Sequence, residues 1–174
     1  MTEKQANVYP LLPLRRGVLF PGSVSTLPVG RKRSLALVEA LGAGDVIVVV
    51  SQRESETEQP TLADLYPVGV AARIHRIGRN SDGSARLVVE TLERVQLDNL
   101  LQSDPYLKVE ATVAPDVNAD DMQAKILAES LREHVRELAG EAGGGLIEAV
   151  SKSMSPSQLA DAVGTHLPLE RHAE

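Results

Sequence analysis

The sequence predicts an α+β chain, a β-rich part over residues 1–115 followed by a small helical bundle over 116–174. Three observations carry this. Apolar residues recur with the two-residue period of strands up to about Pro115 and with helical spacing after it. Prolines and glycines punctuate the first part as turns do. Charge divides at the same place: residues 1–114 hold thirteen Lys plus Arg against thirteen Asp plus Glu, and 115–174 hold five against eleven, which is the whole net charge of −6.

In the stretch LPLRRGVLFPGSVSTLPVGRKRS, residues 12–34, Pro13, Pro21 and Pro28 fix φ and remove donors, which confines them to edges, turns or bulges. Leu12, Leu14, Val18, Leu19 and Phe20 are expected to fill the core. A short helix is predicted from about Ser34 to Leu41, with Leu35, Val38 and Leu41 on one face and Gly42 ending it. Val46 to Val50 is an unbroken apolar run, suited to a central strand covered on both faces. The polar run QRESETEQPT, 52–61, reads as a flexible loop.

Between Val70 and Thr91 two strand-like runs flank GRNSDGS, where Asp82-Gly83 tolerates the positive φ of a hairpin turn. Val95 and Leu97 alternate with polar neighbours, as do Leu107, Val109, Ala111 and Val113. Beyond Pro115, Asp120 or Asp121 can cap a helix with Leu127, Leu131, Val135 and Leu138 as its apolar stripe and Gly140 as its end. Gly143 to Gly145 read as a break, Leu146 to Met154 as a second helix. A third starts at Ser155-Pro156, with Gln158 placed for a capping box, and stops near Pro168.

The composition narrows the chemistry. With Phe20, Tyr9, Tyr66 and Tyr106 as the only aromatics and no tryptophan, the core must be aliphatic. The absence of cysteine removes disulfides, thiolate metal sites and thiol nucleophiles. The polar MTEKQANVYP start and the lack of any long apolar run point to a soluble, cytoplasmic chain with no membrane partner. No glycine-rich run precedes a helix with the lysine that a phosphate loop needs, no GxSxG elbow occurs, and His75, His134, His166 and His172 form no HExxH-like pattern. Ser151-Lys152-Ser153 reads as a solvated helix end, because neighbours on a helix diverge by about 100°. No catalytic residue, cofactor or metal is therefore expected within the chain.

LPLRRGVLFPGSVSTLPVGRKRSLALVEAL resembles the opening signature of the amino-terminal domain of the Lon family of ATP-dependent proteases. ADLYPVGVAARIHRI, GSARLVVETLERVQL, DPYLKVEATV and QLADAVGTHLPLE are similar to later family segments in the same order, from about Leu12 to Glu170. Arg16 stands where that family commonly has an acidic residue, Gly17 replaces a β-branched one, and Thr26-Leu27-Pro28 replaces a Pro-Leu-aromatic order.

The resemblance implies a PUA-like β-barrel or sheet followed by helices, a domain that recognises unfolded, damaged or tagged proteins in quality control and supports a homo-hexamer. It implies ATP and Mg²⁺ only for the ATPase module, and a Ser-Lys peptidase module, neither of which has a counterpart in this sequence. Arg31-Lys32-Arg33, three cations at the positive end of a helix dipole, form the candidate contact site, with the apolar neighbours Phe20, Pro21, Leu27 and Pro28. A free-standing adaptor with the same fold is the alternative. RNA binding ranks lower, since aromatic platforms and a basic groove are scarce.

Overall fold

The computed structural model describes residues 6–118, 120–139 and 144–167, which divide into two compact units, one up to Ala114 and one from Pro115. The first unit runs β1 (Asn7–Leu14), β2 (Val24–Val29), α1 (Lys32–Ala40), β3 (Val46–Ser51), a 3₁₀ turn (Leu62–Asp64), β4 (Val68–Arg79), β5 (Ala85–Gln102) and β6 (Leu107–Val113). Its sheet has the order β2-β5-β4-β3-β1-β6, and β6 pairs in turn with the second half of β5. The strands therefore close into a circuit, with β2 flanking the first half of β5. Among the described strands β2 pairs only with β5, antiparallel from Val24↔Glu90 to Val29↔Ala85, so its other edge is open. The mixture of a barrel-like sheet and helices is the α+β class that the patterning predicts.

β3 is the central strand that its unbroken apolar run requires. Paired with β1 on one side and β4 on the other, it sends Ile47 and Val49 into one core and Val48 and Val50 into a second. Leu12, Leu27, Leu37, Ile74, Leu87 and Val89 complete the first, and Leu11, Leu65, Val95, Leu97, Leu107 and Val109 the second.

One strand feeds both cores because of a bulge. Against β4, the register steps from Val70↔Arg94 to Ala72↔Thr91, so β5 carries one extra residue there. The insertion reverses which face odd-numbered residues of β5 reach, and Ala85, Leu87 and Val89 enter the first core while Val95 and Leu97 enter the second. A second irregularity, between Ile74↔Val89 and Arg76↔Val88, leaves His75 and Arg76 both exposed.

The local turn chemistry acts as the residues dictate. The β4–β5 hairpin turns at Gly83 (φ 85°), with the Asp82 carboxylate accepting from the Ser84 N–H at 2.9 Å and hydroxyl at 2.6 Å. Pro21 precedes Gly22 (φ 78°) in a turn before β2, and Pro28 sits on the edge strand.

Several expectations in this unit are corrected. α1 starts at Lys32 and ends at Ala40, and it buries Leu37 and Val38 fully, with Leu35 and Leu41 only part-covered. Val18 and Phe20 are half-buried and stand outside the cores, while Leu11, at 1% exposure, takes a central place. Val113 is 38% exposed at the end of β6, and the neighbouring Thr112 is buried. The 52–61 run is tied into the fold: Gln52 bridges Leu65, and the Arg53 N–H donates to the Asp64 carbonyl at 2.8 Å.

The second unit holds α2 (Met122–Ala139), α3 (Gly144–Lys152) and α4 (Pro156–Thr165) around Ala128, Val135, Val150 and Leu159. Asp121 caps α2 through the Gln123 N–H (2.9 Å), and Ser155 caps α4 through the Gln158 N–H (3.2 Å). Gln158 reaches one residue past the expected capping-box donor and accepts from the Met154 N–H.

Leu127 is 69% exposed: the buried stripe of α2 passes through Ala128, one residue and about 100° away. Gly144 and Gly145 belong to the first turn of α3, not to a break. Gly140, Gly143, Pro168 and the side chain of Leu138 lie outside the described residues. Among the described residues no helix is long and apolar enough to cross a membrane.

Candidate functional site: a basic-rimmed groove beside the edge strand

An open groove of about 1720 Å³ lies in the first unit, between the end of β1 with its following loop (Leu12–Leu19), β2 from Ser25, the start of α1, the 55–59 loop and Asp104-Pro105. Small-molecule pockets are typically about 300–1,000 Å³, so this volume suits a stretch of polypeptide better than a metabolite. Its walls are aliphatic, with Leu14, Val18, Leu19 and Leu27 among them. One wall is β2, the strand whose other edge is open.

The rim is charged. Arg15, Arg16, Arg31, Lys32 and Arg33 line the groove together with Glu56, Glu58 and Asp104. Arg15 pairs with Glu58 at 2.5 Å, and Nε of Arg33 donates to Asp104 at 3.2 Å while its Nη2 donates to Gln59 at 3.2 Å. Arg31 is the N-cap residue of α1, where no side chain caps the helix and no acidic residue occupies the first turn. Burial, and next the field of Arg15, hold the Arg31 pKa below the ordinary arginine value, with Glu58 pulling the other way.

The structure brings five of the seven sequence-derived candidates, Leu27, Pro28, Arg31, Lys32 and Arg33, to this one groove. Leu27 contributes from the core, at 5% exposure, and Pro28 from the exposed side of β2. Phe20 is elsewhere, in a smaller pocket of about 300 Å³ with Val68, Gly69 and Arg94, and Pro21 lines neither. Of the three cations Lys32 alone is exposed; Arg31 and Arg33 are half-buried because each has a partner from a distant segment.

Sequence reasoning missed those partners, Gln52 for Arg31 and Gln59 and Asp104 for Arg33. The signals present were the excess of acceptors in 52–61 and the need of two half-buried guanidinium groups for them.

The Ser151-Lys152-Ser153 side chains are engaged with residues of α3. The Ser151 and Ser153 hydroxyls donate one turn back to the carbonyls of Ile147 and Ala149, and Lys152 pairs with Glu148 at 2.6 Å. Among the described residues no three His, Asp or Glu side chains gather as metal ligands.

Comparison with known proteins matches residues 8–173 to the family model of the ATP-dependent protease La (LON) substrate-binding domain. Lon protease 4 of Sorangium cellulosum is 46% identical over 171 residues, covering 95% of this chain and 21% of that protein. The Lon protease of Anaeromyxobacter dehalogenans is 38% identical over 170 residues, covering 94% and 20%. The chain thus spans about a fifth of the length of these relatives. Among solved structures, the N-terminal domain of the Mycobacterium avium complex Lon protease aligns with a TM-score of 0.72 at 23% identity, over 94% of this chain and 84% of that one. The Lon N-terminal domain protein from Xanthomonas campestris aligns at 0.54 with 20% identity, over 93% and 99%. At these identities the two structures speak for the fold.

Proposed function

Since the chain belongs to the LON substrate-binding domain family, we propose that its groove captures unfolded or damaged polypeptides for an ATP-dependent Lon-type protease in cytoplasmic protein quality control. The observation that carries this reading is the aliphatic, basic-rimmed groove of about 1720 Å³ inside the matched span. Its size and open strand edge suit an extended chain, which could add backbone hydrogen bonds along β2 as well as side-chain contacts.

This reading implies a division of labour. Capture belongs to this chain and is proposed to need no cofactor, while ATP, Mg²⁺ and the Ser-Lys peptidase chemistry belong to the remaining Lon modules. Its partners are the substrate polypeptides and those modules in a homo-hexamer, with neither nucleic acid nor membrane among them. Individual contacts are weak. A ring of tethered copies raises the effective concentration of sites and with it the avidity.

The test is a titration of the 174-residue chain with one protein in two states, native and permanently unfolded by reduction and alkylation. Preferential binding of the unfolded form, reduced by an Asp substituted for Leu19 in the groove wall, is expected. Equal affinity for both states would overturn the proposal.

A further inference from the structure

Among the described residues, Nη2 of Arg31 is the buried side-chain nitrogen or oxygen left without a hydrogen-bond partner. A charged donor shielded from water without an acceptor is costly, so its persistence calls for an explanation. The guanidinium is not loose. Nη1 donates to Oε1 of Gln52, a residue only 5% exposed, whose Nε2 is itself committed to the carbonyls of Thr57 and Glu54. Arg31 is thus fixed in place with half of its planar fork unused.

The surroundings of that fork favour an anion. Arg15 and Arg31 line the same groove, the field of Arg15 works against the Arg31 charge, and the carboxylate whose field favours that charge is Glu58. Glu58 arrives on the 52–61 loop, bonds Arg15, and is 75% exposed at its side chain. Exposed pairs of this kind exchange readily for others. Arg16 and Lys32, both exposed on the same rim, have no carboxylate partner among the described residues. The uncapped N-terminus of α1 adds its partial positive charge.

We propose that the groove prefers extended segments bearing acidic side chains, one carboxylate taking the place of Glu58 at Arg15, within the field of Arg31. Glu58 is then an internal stand-in, which keeps the two cations compatible until a segment arrives. The preference rests on the substrate-capture reading above and adds a chemical class to it. Apolar side chains on the same segment meet the aliphatic wall, and the carboxylate sets its register.

The experiment is fluorescence anisotropy on the 174-residue chain with two dye-labelled, unstructured peptides, one containing Glu and Asp and one with Gln and Asn at the same positions. The acidic peptide should bind about tenfold or more tightly at low salt, the scale of one charge-assisted hydrogen bond. That advantage should shrink at high salt. Arg31→Gln should remove it, and Arg15→Gln, at an exposed position, should reduce it even if the first variant misfolds. Glu58→Gln should strengthen binding of the acidic peptide several-fold and leave the amide peptide unchanged, a gain that a structural role for Glu58 does not give.

Equal affinities for the two peptides, both displaced by unfolded protein, would overturn the acidic preference while capture stands. An unchanged or weaker acidic peptide in Glu58→Gln would also overturn it. Failure of the chain to bind either peptide or unfolded protein would remove both readings.

Discussion

Gln52 holds Arg31: its buried carboxamide accepts from Nη1 at 2.5 Å and donates to the carbonyls of Thr57 at 2.9 Å and Glu54 at 3.2 Å. One side chain therefore fixes both the 52–61 loop and a half-buried cation of the groove. Gln52→Ala leaves the Nη1 donor and two loop carbonyls unpaired at once. The expected loss is about 1–3 kcal/mol in urea unfolding, with weaker peptide binding as the loop carrying Glu58 loosens. A stable variant that binds peptide normally would show that the clamp is dispensable.

Thr91 plays the same part for the turn that leads into β2. The residue is 2% exposed, its hydroxyl donates to the Phe20 carbonyl at 2.6 Å, and it accepts from the Ser23 N–H at 2.9 Å. Thr91→Val keeps the shape and deletes both bonds. It should cost about 1–3 kcal/mol and speed amide exchange at Ser23, whereas Thr91→Ser should retain most of the stability. Equal losses in both variants would point to packing of the methyl group instead.

Gly69 on β4 lies hard against the neighbouring strand β3. A Cβ there would lie 2.8 Å from the Val49 carbonyl oxygen, 3.2 Å from Val48 Cγ1 and 3.3 Å from Leu97 Cδ1, and backbone cannot step aside as a flexible side-chain end can. Gly69→Ala should therefore destabilise by about 1–3 kcal/mol, the usual range for overpacking. Gly42→Ala, where a Cβ meets open space and φ is not positive, is the control and should lie within about 0.5 kcal/mol of the parent. Similar denaturation midpoints for the two variants would refute the close approach.

What could be read from the sequence is what local chemistry decides. The Val46–Val50 run, the Asp82-Gly83 turn, Asp121 as a cap and Ser155-Pro156 as a helix start each need only a few neighbouring residues, and each forms as the pattern predicts. The sequence points to Leu127, one residue away from the true stripe, because Ala128, small and adjacent, fits the inner face equally well in a helical period. The exchange of faces along β5 was hidden because a bulge is set by the partner strand, not by the alternating residues that pass through it.

The groove was half legible for the same reason. A cluster of three cations beside a helix start marks a place where acceptors are needed, and Arg31-Lys32-Arg33 does line the site. Nothing in that triplet names Gln52, twenty-one residues on, or Asp104, seventy-one from Arg33. Those pairings exist because the closed strand circuit carries the 52–61 loop and the β5–β6 connection to one side of β2. The barrel topology, which several dispersed segments determine together, is thus the step between the triplet and the site.

The hairpin carboxylate gives the fold an acid dependence with a definite sign. Bonds from the Ser84 hydroxyl, and then its N–H, hold Asp82 below the usual carboxylate range, because both favour the ionised form. The folded pKa is thus lower than the unfolded value of about 3.9. This contribution is fully present above that value and is lost as pH falls through the lower folded pKa. Asp82→Asn keeps an acceptor oxygen but no charge, so it should melt below the parent at neutral pH. The gap between the two Tm values should close as pH drops below about 4. Asp64, held low by Thr61, shifts in the same direction and is retained in both proteins, so it cancels from the comparison. A gap that stays constant through the acid range would mean that the Asp82 charge contributes nothing to the turn, and its role would reduce to that of a neutral acceptor.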